Sequence, residues 1–575
     1  MKRLLKYLNG YYKESIIAPF FKMLEAGFEL LIPLVTAGII DYGIKNGDTR
    51  YIWSRCIILV SLGIIGLVCS LTAQYFAAKA GMGFGANVRQ AIFIHINKLG
   101  YKELDNIGAS TLITRITGDV NQLQTGVNLF LRLFLRSPFI ALGAIIMSLS
   151  ISPTMTVIFI IAMIFISLAI FLIIRVTVPA YKKIQSYLDK IVLHTRENFS
   201  GIRVIRAFEG QRTETGEFED DNDGLKKLQI AVGRISGLMN PITFTLANLG
   251  IIAVIYIGKN LVYNGSITQG EIVALINYMT QVLQALLVIA NLIITVSKAT
   301  ASANRVSEFL SIKPEMKEGS NKEEITINEI EFKHVGFLYS GSDEQALSDI
   351  SFKIERGQTL GIIGGTGSGK STLINLIPRF YDANTGEILV NRKNVSDYKY
   401  NSVRKHVKIV PQKSILFSGT IRDNIKWGDD FASDHEIIKA LEEAQALEFV
   451  SQKDGLETKV QQGGNNFSGG QKQRLCIARA LVGKPDVLIL DDSSSALDYG
   501  TEAKLRKSLN SGKENRITIV VSQRVSAVRE SDVIIVLEEG VLVGIGSHDI
   551  LIRECGVYKE IYTSQTNGEE AADYA

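Results

Sequence analysis

Cysteine is scarce in this chain. Its 575 residues include only Cys56, Cys69, Cys476 and Cys555, and their spacing matches no metal-binding pattern. Two lie in or beside apolar stretches and two in the more polar half, which argues against both a disulfide framework and a zinc module. Excess charge of one sign is also missing. The 62 Lys and Arg nearly balance the 58 Asp and Glu, leaving +4, too little to indicate a nucleic-acid partner. No low-complexity region or appended binding domain is visible. The start, Met1-Lys2-Arg3, leads through an amphipathic segment into a long apolar stretch without a small-residue cleavage pattern, so no cleavable leader is expected. A peptidase-like domain ahead of the first apolar segment is not expected either.

Long apolar runs, by contrast, are plentiful in the first half. The 46% hydrophobic content averages a greasy N-terminal part with an ordinary soluble part, and the length allows two or three domains. Residues 57–78, 156–174, 235–258 and 272–297 are apolar stretches long enough to cross a bilayer. Two more, 16–40 and 129–151, contain charges. Short outer loops are expected at 41–53, 150–155 and 263–270. The segments 79–124 and 175–234 are long, polar and rich in Lys and Arg, which puts them and the N-terminus in the cytoplasm of a multi-pass cell-membrane protein. Their helical character predicts membrane helices that continue well beyond the bilayer.

The second half carries a phosphate-binding phrase, Gly364-Gly365-Thr366-Gly367-Ser368-Gly369-Lys370-Ser371, followed by Thr372. In this P-loop pattern glycines let successive backbone N–H groups turn inward around phosphate oxygens; the lysine reaches the β- and γ-phosphates and the serine hydroxyl ligates Mg²⁺. The preceding 359–363 reads as a buried strand and 371–377 as a helix, whose N-terminus favours an anion. A second buried strand, 487–490, ends in Asp491, a carboxylate placed to coordinate the same Mg²⁺.

Phe467–Gln471 (FSGGQ) resembles the signature motif of ATP-binding cassette (ABC) transporters, and Ser495-Ala496-Leu497-Asp498 resembles their D-loop. Val410-Pro411-Gln412 resembles the Q-loop, with Gln412 a further Mg²⁺ ligand, and Tyr339 sits where an aromatic ring stacks on adenine. The resemblance spans the whole chain. It implies an α-helical transmembrane domain of six helices, exporter type, followed by an α/β P-loop cassette that binds ATP. It also implies head-to-tail closure of two cassettes, so that Ser468, Gly469, Gly470, Gln471 and Asp498 would contact ATP held mainly by a partner. Short helices near 110–117 and 200–208 resemble the coupling helices that carry cassette motion to the membrane domain. The expected boundaries are 1–310 for the membrane domain, 311–325 for a Pro- and charge-bearing linker, 326–564 for the cassette and 565–575 for a disordered tail.

Two departures from the family pattern shape the expected mechanism. The family has glutamate after the metal aspartate, whereas this chain has Asp492, one methylene shorter. The family has histidine after the next strand, 517–521, whereas this chain has Gln523, which can hydrogen-bond a γ-phosphate but carries neither proton nor charge. With an intact signature and an altered site of its own, the chain reads as one half of a heterodimer. The second half-transporter would own the competent site, and hydrophobic or amphipathic small molecules, drug-like compounds or lipids, would be the cargo. A nucleotide-sensing regulatory subunit and an importer are the alternatives. Within the apolar segments, Glu25 and Glu29 stand one turn apart, as do Arg132 and Arg136. They read either as a structural ion-pair ladder or as carboxylates lining a path for cationic amphiphiles. Lys22 reads as interfacial, its ammonium snorkelling to the headgroups.

Overall fold

The computed structural model describes residues 2–321 and 325–572. Parts of the expected linker (322–324) and tail (573–575) lie outside the described residues. The chain forms two compact units, Met1–Asn97 with Ser110–Ile312, and Lys98–Ala109 with Lys313–Ala575.

Among the described residues, six helical segments are long and apolar enough to cross a membrane, all but the first residue of the third belonging to the first unit: Tyr12–Ile44, Thr49–Ile96, Ala109–Ile151, Pro153–Ala207, Gln211–Tyr263 and Gln269–Phe309. The principal helices are α1 (Tyr12–Gly38) and α2 (Thr49–Ile96). In the second unit α3 (Tyr101–Ile107) follows. The membrane set continues with α4 (Val120–Leu133), α5 (Arg136–Ile151), α6 (Pro153–Ala207), α7 (Gln211–Gly237), α8 (Met239–Tyr263) and α9 (Gln269–Phe309). At 1.5 Å per residue, α2 and α6 run roughly 70 and 80 Å, more than twice the ~30 Å hydrocarbon core.

Small residues let these helices approach closely. A Cβ on Gly126 of α4 would fall 2.3 Å from the Ala299 side chain of α9, the backbone-close packing favoured where no water drives helices together. One end of the bundle is tied by Asp41, which accepts from the Thr268 hydroxyl (2.5 Å) and the Gly270 N–H (2.8 Å). Elsewhere Asp119, 3% exposed, gathers Arg115 and Arg305.

The intramembrane charges form only part of the expected ladder. Arg136 pairs with Glu29 across helices at 2.7 Å. Glu25, however, pairs with Lys22 on its own helix at 2.5 Å. Lys22 therefore does not snorkel: it is 5% exposed, and its ammonium also donates to the Ser70 hydroxyl of α2 (3.1 Å). A carboxylate one turn away, available without leaving the helix, outcompetes the headgroup region.

The second unit is built on a ten-stranded sheet. Its strands are β1 (Glu329–Phe337), β2 (Leu347–Glu355), β3 (Thr359–Gly364), β4 (Thr385–Val390), β5 (Lys393–Asn394), β6 (Val407–Val410), β7 (Val487–Asp491), β8 (Ile517–Val521), β9 (Val533–Glu538) and β10 (Val541–Gly546). The spatial order is β5-β4-β1-β2-β10-β9-β3-β8-β7-β6. Strands β9, β3, β8, β7 and β6 pair in parallel. Their near-continuous Val, Ile and Leu are buried on both faces, as parallel strands require.

Helix α3 packs within this second unit. The Tyr101 ring stacks on Phe380 at 4.4 Å, Asp105 accepts from the Tyr381 hydroxyl (2.5 Å), and Glu103 accepts from the Glu315 N–H (2.8 Å). The short helix that docks on the cassette is thus Tyr101–Ile107, rather than one at 110–117, because the aromatic and acidic side chains that match Phe380 and Tyr381 lie there. Residues 200–207 end the long helix α6 instead of forming a separate one. The last helix, Gly556–Ala572, continues past Gln565, whose amide is engaged in the site described next.

Candidate functional site

Four loops meet where the parallel strands end at their C-terminal edges, the position at which open α/β sheets bind ligands. Strand β3 delivers Gly364–Ser371, β7 delivers Asp491 and Asp492, β8 delivers Ser522 and Gln523, and β6 delivers Gln412. Register brings them level: Val521 pairs with Asp491 on one side and Ile362 on the other. They line a cavity of about 360 Å³ with Tyr339, Ala346, Thr366, Gly367, Ser368, Gly369, Lys370, Ser371 and Thr372.

The loop's shape requires glycine at two places. Gly367 and Gly369 have φ of +82° and +92°, and a Cβ on Gly369 would lie 2.7 Å from the Ala346 carbonyl. Gly369 leads into α10 (Lys370–Leu376). The Lys370 ammonium curls back onto the loop, donating to the carbonyls of Gly364 (2.8 Å) and Gly365 (2.5 Å). Burial holds its pKa below the ordinary lysine value, partly offset by Asp491 and Asp492. Tyr339 stands at the rim, its hydroxyl 3.2 Å from Thr372 Oγ1.

The acidic side of the cavity is poised for a cation. Ser371 Oγ donates to Asp491 Oδ2 (3.2 Å). Burial pushes the Asp491 carboxyl up from its usual range, and Asp492 adds to the push. A buried carboxylate in excess, a hydroxyl and the Gln412 amide form an all-oxygen donor set of the kind Mg²⁺ takes together with substrate phosphates.

Asp492 occupies the left-handed region with φ 45°, which Asp tolerates better than most residues. Its N–H donates to the Val521 carbonyl (2.9 Å), and its carboxylate accepts from Gln412 Nε2 (3.3 Å). Two contacts invisible to motif reading hold this region. Gln473 Nε2 donates to the Asp492 carbonyl (3.3 Å). Gln565 clamps the loop after β8 from the last helix, accepting from the Val525 N–H (2.8 Å) and donating to the Gln523 carbonyl (2.7 Å). Neither has a sequence signal beyond a polar side chain on a helix.

The FSGGQ residues do not line this cavity. Ser468 caps α11 (Gly469–Val482), accepting from the Gln471 N–H (3.3 Å) while the Gln471 side chain accepts from the Ser468 N–H (3.1 Å). Asp498 likewise caps α12 (Tyr499–Ser511), accepting from the Thr501 N–H (2.9 Å). Neither of these helix N-termini, nor Gly469 and Gly470, is among the residues that line the cavity of the chain's own P-loop.

Comparison with known proteins covers both units. Residues 15–286 match the pattern described as ABC transporter transmembrane region, and 347–495 match that described as ABC transporter. The chain is 34% identical to the ABC transporter ATP-binding protein YfiB of Bacillus subtilis, over 99% of each chain. It is 30% identical to YgaD of the same organism, whose name assigns it to multidrug export, over 98% of this chain and 99% of that one. A solved bacterial Atm1-family ABC exporter with ATP bound superposes with a TM-score of 0.79 at 23% identity, covering 96% of this chain and 98% of that one. That last likeness is one of fold.

Proposed function

Because the chain belongs to the ABC transporters that carry a membrane domain and an ATP-binding cassette in one polypeptide, we propose that it is one half of a heterodimeric exporter of amphipathic or hydrophobic small molecules, with a weak ATP site of its own and a signature motif that completes the partner's site. The match to the ABC transporter membrane region and cassette, the six apolar helices and the exporter fold support this reading.

In this reading the P-loop N–H groups and Lys370 hold the β- and γ-phosphates, and Tyr339 stacks on adenine. Ser371, Asp491 and Gln412 would hold a Mg²⁺, which would supply positive charge against the phosphates. Asp492 stands where a water-orienting carboxylate is needed, but it is short and tied to Gln412. Gln523 can donate to a γ-phosphate oxygen and cannot supply a charge. The observation that carries the asymmetry is that Asp492 and Gln523 both line the cavity that Lys370, Ser371 and Asp491 line, so both altered side chains belong to one site. The multidrug name of YgaD supports an amphipathic cargo, and the membrane-domain match supports transport over a purely sensory role.

Inside-out vesicles containing this chain and its partner test the export reading. ATP-dependent accumulation of an amphipathic dye in the lumen is expected; ATP-dependent loss of preloaded dye would mean uptake.

Asp491 gives a separate check. A carboxyl whose folded pKa is raised penalises the folded state above its ordinary pKa, and the penalty relaxes as pH falls. Asp491→Asn should therefore raise the melting temperature of the nucleotide-free chain near neutral pH while erasing the Mg²⁺-dependent part of the stabilisation by ATP. Scanning fluorimetry with and without Mg²⁺ reads both. An unchanged Mg²⁺-dependent shift would remove Asp491 from the metal site.

A further inference from the structure

Charge within the membrane helices does not balance, and a guanidinium is left over. Glu25 is taken by Lys22 and Glu29 by Arg136. Arg132, one turn before Arg136, has no carboxylate or hydrogen-bond acceptor among the described residues, and its Nε is buried without a partner. Arg136 Nε, Ser137 Oγ and Gln281 Oε1 are in the same condition. Gln281 joins the cluster by donating to the Glu29 carbonyl (3.4 Å). One helix ends and the next begins at Phe134 and Leu135, between the two arginines, although the Phe134 N–H still donates to the Phe130 carbonyl (3.1 Å).

This group lies at membrane depth. At 1.5 Å per residue, Glu29, Gln281 and Arg136 are roughly 14, 18 and 22 Å from the helix ends at Gly38, Gln269 and Ile151, and Arg132, at roughly 28 Å, stands toward the far edge of a ~30 Å hydrocarbon core. An uncompensated guanidinium there is costly and faces protein or a water-filled cavity rather than lipid. Its planar fork suits a phosphate or carboxylate, which it can bind through two parallel N–H donors.

We propose that Arg132, assisted by Arg136, binds the anionic headgroup of the cargo, so that the preferred substrate is an amphiphile carrying a phosphate, carboxylate or sulfonate on an apolar body. The proposal rests on the export reading and names its cargo class. It reverses the cationic preference that Glu25 and Glu29 suggest in sequence, because both carboxylates are already neutralised within the chain.

The test uses the transporter purified through a tag on this chain, with its partner half, in phosphatidylcholine nanodiscs. Equilibrium binding of radiolabelled dodecyl phosphate is compared with that of dodecyltrimethylammonium, which has the same tail and the opposite charge. The phosphate should bind more tightly. Arg132→Gln should weaken it roughly 10- to 100-fold, as expected for losing a hydrogen bond to a charged group, without a matching loss for the ammonium probe. Arg132→Lys should keep the preference and Arg132→Glu should invert it. Nanodiscs containing phosphatidylglycerol separate the two sources of such a headgroup. Competition that Arg132→Gln abolishes supports a bilayer lipid, and an undiminished, Arg132-dependent preference for dodecyl phosphate supports a soluble amphiphile. Equal affinity for the two probes overturns the proposal. So does a loss from Arg132→Gln that is equal for both probes and accompanied by dissociation of the two halves, since Arg132 would then be serving a carboxylate of the partner. ATP-driven movement of a neutral dye checks the export reading separately: charge-selective binding without transport removes that reading alone, and transport without charge selectivity removes this one alone.

Discussion

Ser468→Ala in this chain should lower ATP hydrolysis by the assembled transporter roughly 10²- to 10³-fold, the cost of losing a donor aimed at developing phosphate charge, whereas Lys370→Ala should lower it only a few-fold. The difference comes from which site each residue serves. Lys370 lies in the chain's own cavity with Asp491 and Asp492. Ser468 and Gly470 lie at the N-terminus of α11, outside that cavity, where they are available to a second cassette. Ser468 also caps its helix, so replacement costs about 1 kcal/mol of stability as well; the melting temperature must be measured beside the rate. Gly470→Asp is a second probe. A Cβ at Gly470 already falls 2.9 Å from the Ala496 carbonyl, and a carboxylate there would oppose a phosphate. Steady-state ATPase of the reconstituted pair, altering this chain alone, decides the matter. Equal losses from Lys370→Ala and Ser468→Ala would mean two equivalent sites and would end the asymmetric reading.

Purified without a partner, the chain should turn ATP over roughly 10²-fold more slowly than the proposed heterodimer, because a reacting geometry displaced by about 1 Å costs that much and each site of a homodimer would carry Asp492 and Gln523. It should still bind ATP, since the P-loop and Asp491 are complete. Asp492→Glu with Gln523→His should raise turnover of the isolated chain. The rise is limited by the backbone, because residue 492 sits at φ 45°, where glutamate is more strained than aspartate, and by Gln412, which holds the present carboxylate at 3.3 Å. Single-turnover hydrolysis of the purified chain and the double variant is the measurement. Vanadate-sensitive turnover of about 1–10 s⁻¹ by the unmodified chain alone, an ordinary enzyme rate, would defeat the need for a partner.

What could be read without coordinates was whatever short-range pattern dictates. The P-loop phrase, the strands ending at Gly364, Asp491 and Val521, and the apolar spans all follow from local composition and spacing, and the elements appear where that spacing puts them. Glycine at 367 and 369 is similarly self-explanatory once both show positive φ. The departures at Asp492 and Gln523 were legible too, because each is defined by its place after a strand.

Tertiary structure alone decided which partners distant side chains find. Spacing left Glu25 and Glu29 either to pair with Arg132 and Arg136 in a ladder or to line a path for cationic amphiphiles, yet packing gave Glu25 to Lys22 and Glu29 to Arg136, with Arg132 left over among the described residues. A residue's charge is local, but its compensation depends on which helices touch and at what rotation. The docking of Tyr101 on Phe380 and the clamp of Gln565 on the Gln523 loop likewise join residues hundreds and tens of positions apart. Periodicity carries no record of such pairs. The sequence thus determined the chemistry of the cassette through contiguous motifs, while only the folded chain determined the charge left over in the membrane, because that remainder is a difference between long-range contacts made and not made.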